Sequence, residues 1–211
     1  MIQFFKKKHL LLLLFCSCIC RIVAQETNFI KVHFLYGSKP LPEYKSSESK
    51  SFGGVLGGHV GIEGESDRIL NFIPTDSKLH IISKKDNMHS SYTVHSVNDF
   101  YAILGGHPDS VKKAVVVIPV TGLQKQRFDS IAAVYLKQTP YDYAFLGMRC
   151  GAATYEILAQ LEILPQLSLK KTSKRIFYPK LLRQKLLAKA EINNWTIERQ
   201  EGSPKRKWEQ D

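Results

Sequence analysis

Past residue 20 the chain holds one cysteine, Cys150, out of four in all. An internal disulfide in the body of the protein is thereby excluded, and so is a cysteine-rich zinc site. The histidines show no close ligand spacing such as His-x-x-x-His, so neither a metal nor a cofactor is expected. No long apolar run follows the first one, so the body of the chain is expected to be soluble. Zinc-finger spacing and aromatic RNA-binding motifs are also missing, which speaks against nucleic acid as a partner. The remaining roles for Cys150 are buried filler, an intermolecular link or a nucleophile.

The other three cysteines, Cys16, Cys18 and Cys20, lie in a segment laid out like an export signal. Lys6, Lys7 and Lys8 precede an almost wholly apolar run of 11 residues from Leu10 to Cys20. Ile22-Val23-Ala24 then offers a small residue before Gln25, so cleavage is expected after Ala24. A bilayer span needs roughly 20 apolar residues, more than this run supplies. Ser17-Cys18 leaves a lipid-modified variant open. The reading places the mature protein outside the cytoplasm, in a periplasm or beyond it, with membrane association as a variant.

Without residues 1–24 the charge is 26 basic against 19 acidic, a net of +7. Residues 25–169 carry 14 of each sign, so the whole surplus falls in residues 170–211. The expected organisation is a signal over 1–24, a neutral catalytic domain over 25–169 and a basic helix with tail over 170–211. Lys170-Lys171 and Lys205-Arg206-Lys207 suit either a solvated tail or contact with an anionic surface. Asn194-Trp195-Thr196 matches a glycosylation sequon.

Alternation through Phe29, Ile30, Val32, Phe34 and Tyr36 predicts a first strand over 28–36. A loop rich in Gly, Ser, Lys and Pro follows over 37–57. Residues 58–63 and 68–73 predict a hairpin, with turn-forming residues between them. Further strands are expected over 79–83 and 92–97, a helical turn over 98–104, and a buried strand over 114–120. Thr121 is placed to cap a helix over 123–137. Other helices are expected to run from Cys150 to about Leu161 and from Pro179 to Ala190. The last 20 residues are polar enough to fray. The sum is an α+β fold with a mostly antiparallel sheet packed against a helix that bears the cysteine at its N-terminus.

That position favours the nucleophilic reading, because a helix N-terminus stabilises a thiolate. A nucleophilic thiol needs a base and a third group to orient the base. His59 stands in Gly57-Gly58-His59-Val60-Gly61, on a strand whose glycines permit close approach of another segment. Asn71 is an isolated amide among Leu70, Phe72, Ile69 and Ile73, and needs a buried hydrogen bond. It can orient the imidazole; Glu63 and His80 are alternatives for that role.

Gly-His-Val-Gly-Ile on a strand, a polar residue 12 positions on, and Tyr-Asp-Tyr followed far downstream by Arg-Cys-Gly together resemble the circularly permuted NlpC/P60 branch of the papain-like superfamily. The lecithin:retinol acyltransferase-like lipid enzymes belong to the same branch. The resemblance covers about residues 30–165. It implies a papain-like site with Cys150 as nucleophile, His59 as base and Asn71 as orienting residue. Tyr141, Gly58, Glu63 and Arg149 would line or support it. Arg149 departs from the Asn that is common there. The activity implied is a cysteine peptidase or amidase, acting through a thioester on envelope or cell-wall peptides. A lipid acyl hydrolase or acyltransferase is the alternative, and an inactive envelope-binding module a third.

Overall fold

The computed structural model describes residues 28–48, 58–75, 80–82 and 89–211. The expected export signal, Gly57 and both ends of the strand predicted over 79–83 lie outside these; residues 80–82 form no strand, and Ile81 and Ile82 are bends. Six strands make one sheet: β1 Asn28–Leu35, β3 His59–Glu65, β4 Arg68–Pro74, β5 Ser90–His95, β6 Lys113–Val120 and β7 Thr196–Gln200. Their spatial order is β5-β4-β3-β1-β6-β7, and every neighbouring pair is antiparallel. Two short strands, β2 Ser38–Pro40 and β8 Arg206–Trp208, pair separately. The helices are α1 Val97–Ala102, α2 Gly122–Lys137, α3 Cys150–Gln160, α4 Leu169–Arg175 and α5 Pro179–Asn193. The class is therefore α+β with a mostly antiparallel sheet.

Strand alternation decides the layers. Ile30, Val32, Phe34, Val60, Ile62, Leu70 and Phe72 turn to one face, where they meet Ala152, Ala153, Ile157 and Leu158 of α3. Burying a large aliphatic side chain fully contributes roughly 1.5–3 kcal/mol, so this face carries most of the stabilisation. The small residues at the start of α3 let it lie close to β3 and β4. On the opposite face Leu35 and Ile69 form a smaller cluster with Phe100 and Tyr101 of α1.

Local chemistry sets the element ends. Thr121 and Gln124 cap α2 reciprocally, at 3.1 Å and 2.9 Å, which satisfies two donors that the helix leaves open. Pro119 stands in β6 beyond the stretch that β7 pairs, so its missing N–H leaves no gap in the ladder on that side. Asp67 adopts the left-handed conformation at the tight β3–β4 turn, and its carboxylate accepts from the Val97 N–H at 2.8 Å. That contact ties the start of α1 to the hairpin.

The C-terminal segment corrects the sequence expectation. Residues 196–211 do not fray: β7 extends the main sheet, β8 pairs β2, and Trp208 joins the smaller cluster. Two of the basic residues in this region are not solvated. Arg183, fully buried, pairs with Asp211 at 2.9 Å and Glu209 at 3.2 Å, and its guanidinium lies 3.7 Å from the Tyr36 ring centre. Arg206 is buried and bonds Ser38 and Glu48. The fold thus spends charge where the linear sequence shows a tail. α4 and the β2–β8 pair were also invisible beforehand, being too short for a periodic pattern.

Replacing Glu209 and Asp211 together by Ala would leave the Arg183 guanidinium buried without a carboxylate. The expected loss is about 3 kcal/mol in urea unfolding, the cost of an uncompensated buried charge. Arg183→Met in the double variant should recover part of it. Unchanged stability in the double variant would contradict the clamp.

Candidate active site

β3 opens at His59, and the backbone places it. Gly58 has φ of +65°, and a Cβ there would lie 1.6 Å from the Leu35 carbonyl oxygen. Only glycine fits where β3 enters the sheet beside β1. Gly61, paired with Asn71 in the β3–β4 ladder, is a second close approach. Its missing side chain leaves room for Phe100, whose Cε2 would be 3.0 Å from a Cβ. Phe100 uses that room to lie against the His59 ring, centroids 5.3 Å apart, and both rings are buried.

The hairpin register brings Asn71 diagonally beside His59, and the His59 Nε2 to Asn71 Oδ1 separation is 3.0 Å. The rest of the network fixes the direction of that bond. Asn71 Nδ2 lies 3.3 Å from each of the Ile69 and Thr93 carbonyls and 3.0 Å from His95 Nδ1, so its two N–H groups are shared among three acceptors. Nδ2 must therefore be the amine and Oδ1 the acceptor. His59 Nε2 must carry a hydrogen, which leaves Nδ1 as the nitrogen able to take a proton.

Cys150 is the first residue of α3 and is 3% exposed. The first intrahelical acceptor, the Arg149 carbonyl, is taken by the Ala153 N–H. The N–H groups of Cys150, Gly151 and Ala152 are thus the open donors of the helix start. The thiol and the His59 imidazole interact through charge and a side-chain hydrogen bond. Burial pushes the Cys150 thiol up, but the His59 charge and bond, the Arg149 charge and the Tyr143 hydroxyl bring it below the ordinary thiol value. Burial pulls the His59 ring down, but the Cys150 thiolate and Asn71 carry it above the ordinary imidazole value. The opposed shifts widen the pH range in which both groups are charged.

Of the residues singled out from sequence, Cys150, His59, Asn71, Gly58 and Arg149 come together. Glu63 does not join them. It pairs with His33 at 2.7 Å and Lys31 at 3.4 Å, and the His33 bond holds its carboxyl below the usual range. His80 sits against His89 and gives its backbone carbonyl to the Phe145 N–H. Tyr141 is buried behind the site, edge-on to Phe72 at 5.3 Å and hydrogen-bonded to Tyr92. Tyr143 is the tyrosine at the thiol: its hydroxyl bonds Cys150 and Arg149, and its ring stacks on Phe72 at 5.2 Å. Burial, then the charge of Cys150, raises its pKa, so it stays a donor.

Sequence reading passed over Tyr143, Phe100 and His95. A signal existed for each. Tyr143 shares Tyr-Asp-Tyr with Tyr141, Ser96-Val-Asn-Asp99 marks a capped helix start ahead of Phe100, and a β4–β5 pairing puts His95 opposite Ile69.

Among the described residues no group of three or more His, Cys, Asp or Glu could hold a metal ion, and no helix is long and apolar enough to cross a membrane. Protein-family models, curated proteins and solved structures contain no match to the chain.

The opposed pKa shifts carry a direct expectation. Alkylation of Cys150 by iodoacetamide should exceed that of free cysteine at mildly acidic pH and rise with pH at a midpoint below the ordinary thiol value of about 8.5. Asn71→Leu should move the midpoint upward. A midpoint at or above that of free cysteine would contradict the geometry.

Proposed function

We propose that the chain is an exported cysteine hydrolase, a peptidase or amidase of the circularly permuted NlpC/P60 type acting on envelope peptides. One observation carries this reading. Asn71 holds the His59 ring by Nε2, and the same ring is hydrogen-bonded to a thiol at a helix N-terminus. That is the division of labour a thiol nucleophile requires.

In this scheme the Cys150 thiolate attacks the substrate carbonyl carbon, and the carbonyl π electrons move onto oxygen. The oxyanion is received by the Cys150 N–H, and the Tyr143 hydroxyl, which bonds the thiol, is the proposed second donor. As the tetrahedral intermediate collapses, protonated His59 gives its proton to the leaving amine and the C–N bond breaks. Water then attacks the thioester with His59 as base, releasing a carboxylic acid and the thiol. Gly58 and Phe100 hold the imidazole in place during both steps.

A lipid ester substrate is the second reading. Ile81, Ile82 and Leu146 are exposed side by side, joined by the Leu146 N–H to Ile81 carbonyl bond at 2.8 Å, and Phe145 beside them packs on Phe177. An apolar patch adjoining Phe145, whose ring faces the Arg149 guanidinium, suits an acyl chain.

p-Nitrophenyl acetate serves as a neutral acyl probe, with wall peptides and lipid esters as the candidate substrates. Cys150→Ala should abolish both turnover and the acetyl adduct seen by mass spectrometry. His59→Ala should lower turnover by about 10²–10⁴-fold, the usual contribution of a general base. Turnover that survives both substitutions would overturn the proposal.

A further inference from the structure

Among the described residues three arginines, Arg149, Arg183 and Arg206, lie on aromatic rings with their charge wholly or partly withdrawn from water. Two have acids beside them. Arg183 has Asp211 and Glu209, and Arg206 has Glu48. Arg149 is different. Its guanidinium carbon lies 5.5, 5.1 and 5.3 Å from the ring centres of Phe145, Phe177 and Tyr178. Two of its nitrogens, Nε and Nη1, are buried without a hydrogen-bond partner, against one each in Arg183 and Arg206. Among the described residues no carboxylate pairs with it.

Rings hold a cation in place but supply no hydrogen-bond acceptor, and N–H groups withdrawn from water without an acceptor are costly. Apart from the Cys150 thiolate, whose charge it feels, and the Tyr143 hydroxyl, the guanidinium has no acceptor or anion beside it among the described residues. Its position says where a further anion belongs. Arg149 directly precedes Cys150, and the Tyr143 hydroxyl links the guanidinium to the thiol. The open donors at the start of α3 favour negative charge at the same point. The planar fork of a guanidinium matches a carboxylate.

We infer that Arg149 is a specificity-determining residue that binds a carboxylate on the substrate next to the scissile carbonyl. The inference rests on Cys150 being the nucleophile. It narrows the substrate class to acyl compounds, peptides first among them, cleaved beside a residue that carries a free carboxylate. The aromatic wall of Phe145, Phe177 and Tyr178 gives the cation a fixed direction before substrate arrives, which lowers the ordering cost of binding. The Cys150 thiolate is the competing counterion, and it predicts a different experiment.

Iodoacetate and iodoacetamide separate the two. In each case the thiolate attacks the methylene carbon, the S–C bond forms, and iodide leaves with the C–I electron pair. The reagents differ in carrying a carboxylate or a neutral amide. Wild-type Cys150 should react faster with iodoacetate, with a rate that saturates in reagent and is slowed by acetate. Free cysteine, whose thiolate repels the carboxylate, shows the opposite order. Arg149→Met should lower the iodoacetate-to-iodoacetamide ratio roughly tenfold, as expected for one lost charge-assisted hydrogen bond. Its iodoacetamide rate should still exceed that of free cysteine, which shows that the site is intact. Arg149→Lys should keep part of the ratio. If Arg149 served only the thiolate, Arg149→Met would slow both reagents equally; an unchanged ratio, or wild-type kinetics linear in iodoacetate, overturns the inference. Wild-type rates no faster than free cysteine with either reagent overturn the nucleophile reading beneath it.

Discussion

The hydrogen bond between His59 Nε2 and Asn71 Oδ1 is the constraint from which the site follows. It exists because Gly61 and Asn71 are partners in the β3–β4 ladder, so the register of one hairpin sets the tautomer of one imidazole. A one-residue slip would send Asn71 to the other face and leave the ring unheld. The amide is itself fixed, since its two N–H groups are shared among two backbone carbonyls and His95. Nothing about Cys150 would be unusual without this arrangement. A buried thiol alone is inert, because burial raises its pKa.

The rest of the fold serves to bring the thiol to that ring. α3 begins on small residues, which lets its N-terminus come down on β3 and β4. Residues 141–149 make a turn in front of it, with the Ala144 N–H on the Met148 carbonyl at 3.1 Å. α1 carries Phe100 over the imidazole, and the Asp67 bond anchors α1 to the same hairpin. On the far side, the clamp of Tyr36, Arg183, Glu209 and Asp211 ties the C-terminal segment to the loop after β1. That loop follows the strand against which Gly58 is packed.

Much of this was legible in the sequence for definite reasons. Alternation over residues 28–36 and a continuous β-branched run over 114–120 marked the central strands, which the structure places at 28–35 and 113–120. Thr121 and Pro179 announced their helices through capping chemistry. His59 and Asn71 stood out as polar residues on apolar strands. What was not legible depended on pairing across distance. Tyr141 and Tyr143 differ only in which side of a turn they face, and the structure gives the thiol to Tyr143. Glu63 is drawn away by His33 from the neighbouring strand. The basic C-terminal segment reads as a solvated tail until Asp211 is seen beside Arg183, 28 residues away along the chain.

The central claim is that Cys150 is ionised by the oriented His59 ring. Thiolate absorbance near 240 nm, titrated in the wild type against Cys150→Ala, measures this without substrate. The account predicts a thiolate signal that persists through neutral pH, disappears only on acidification, and shifts upward in Asn71→Leu. A difference spectrum that first appears at the pH where free cysteine ionises, and that ignores Asn71, would contradict it.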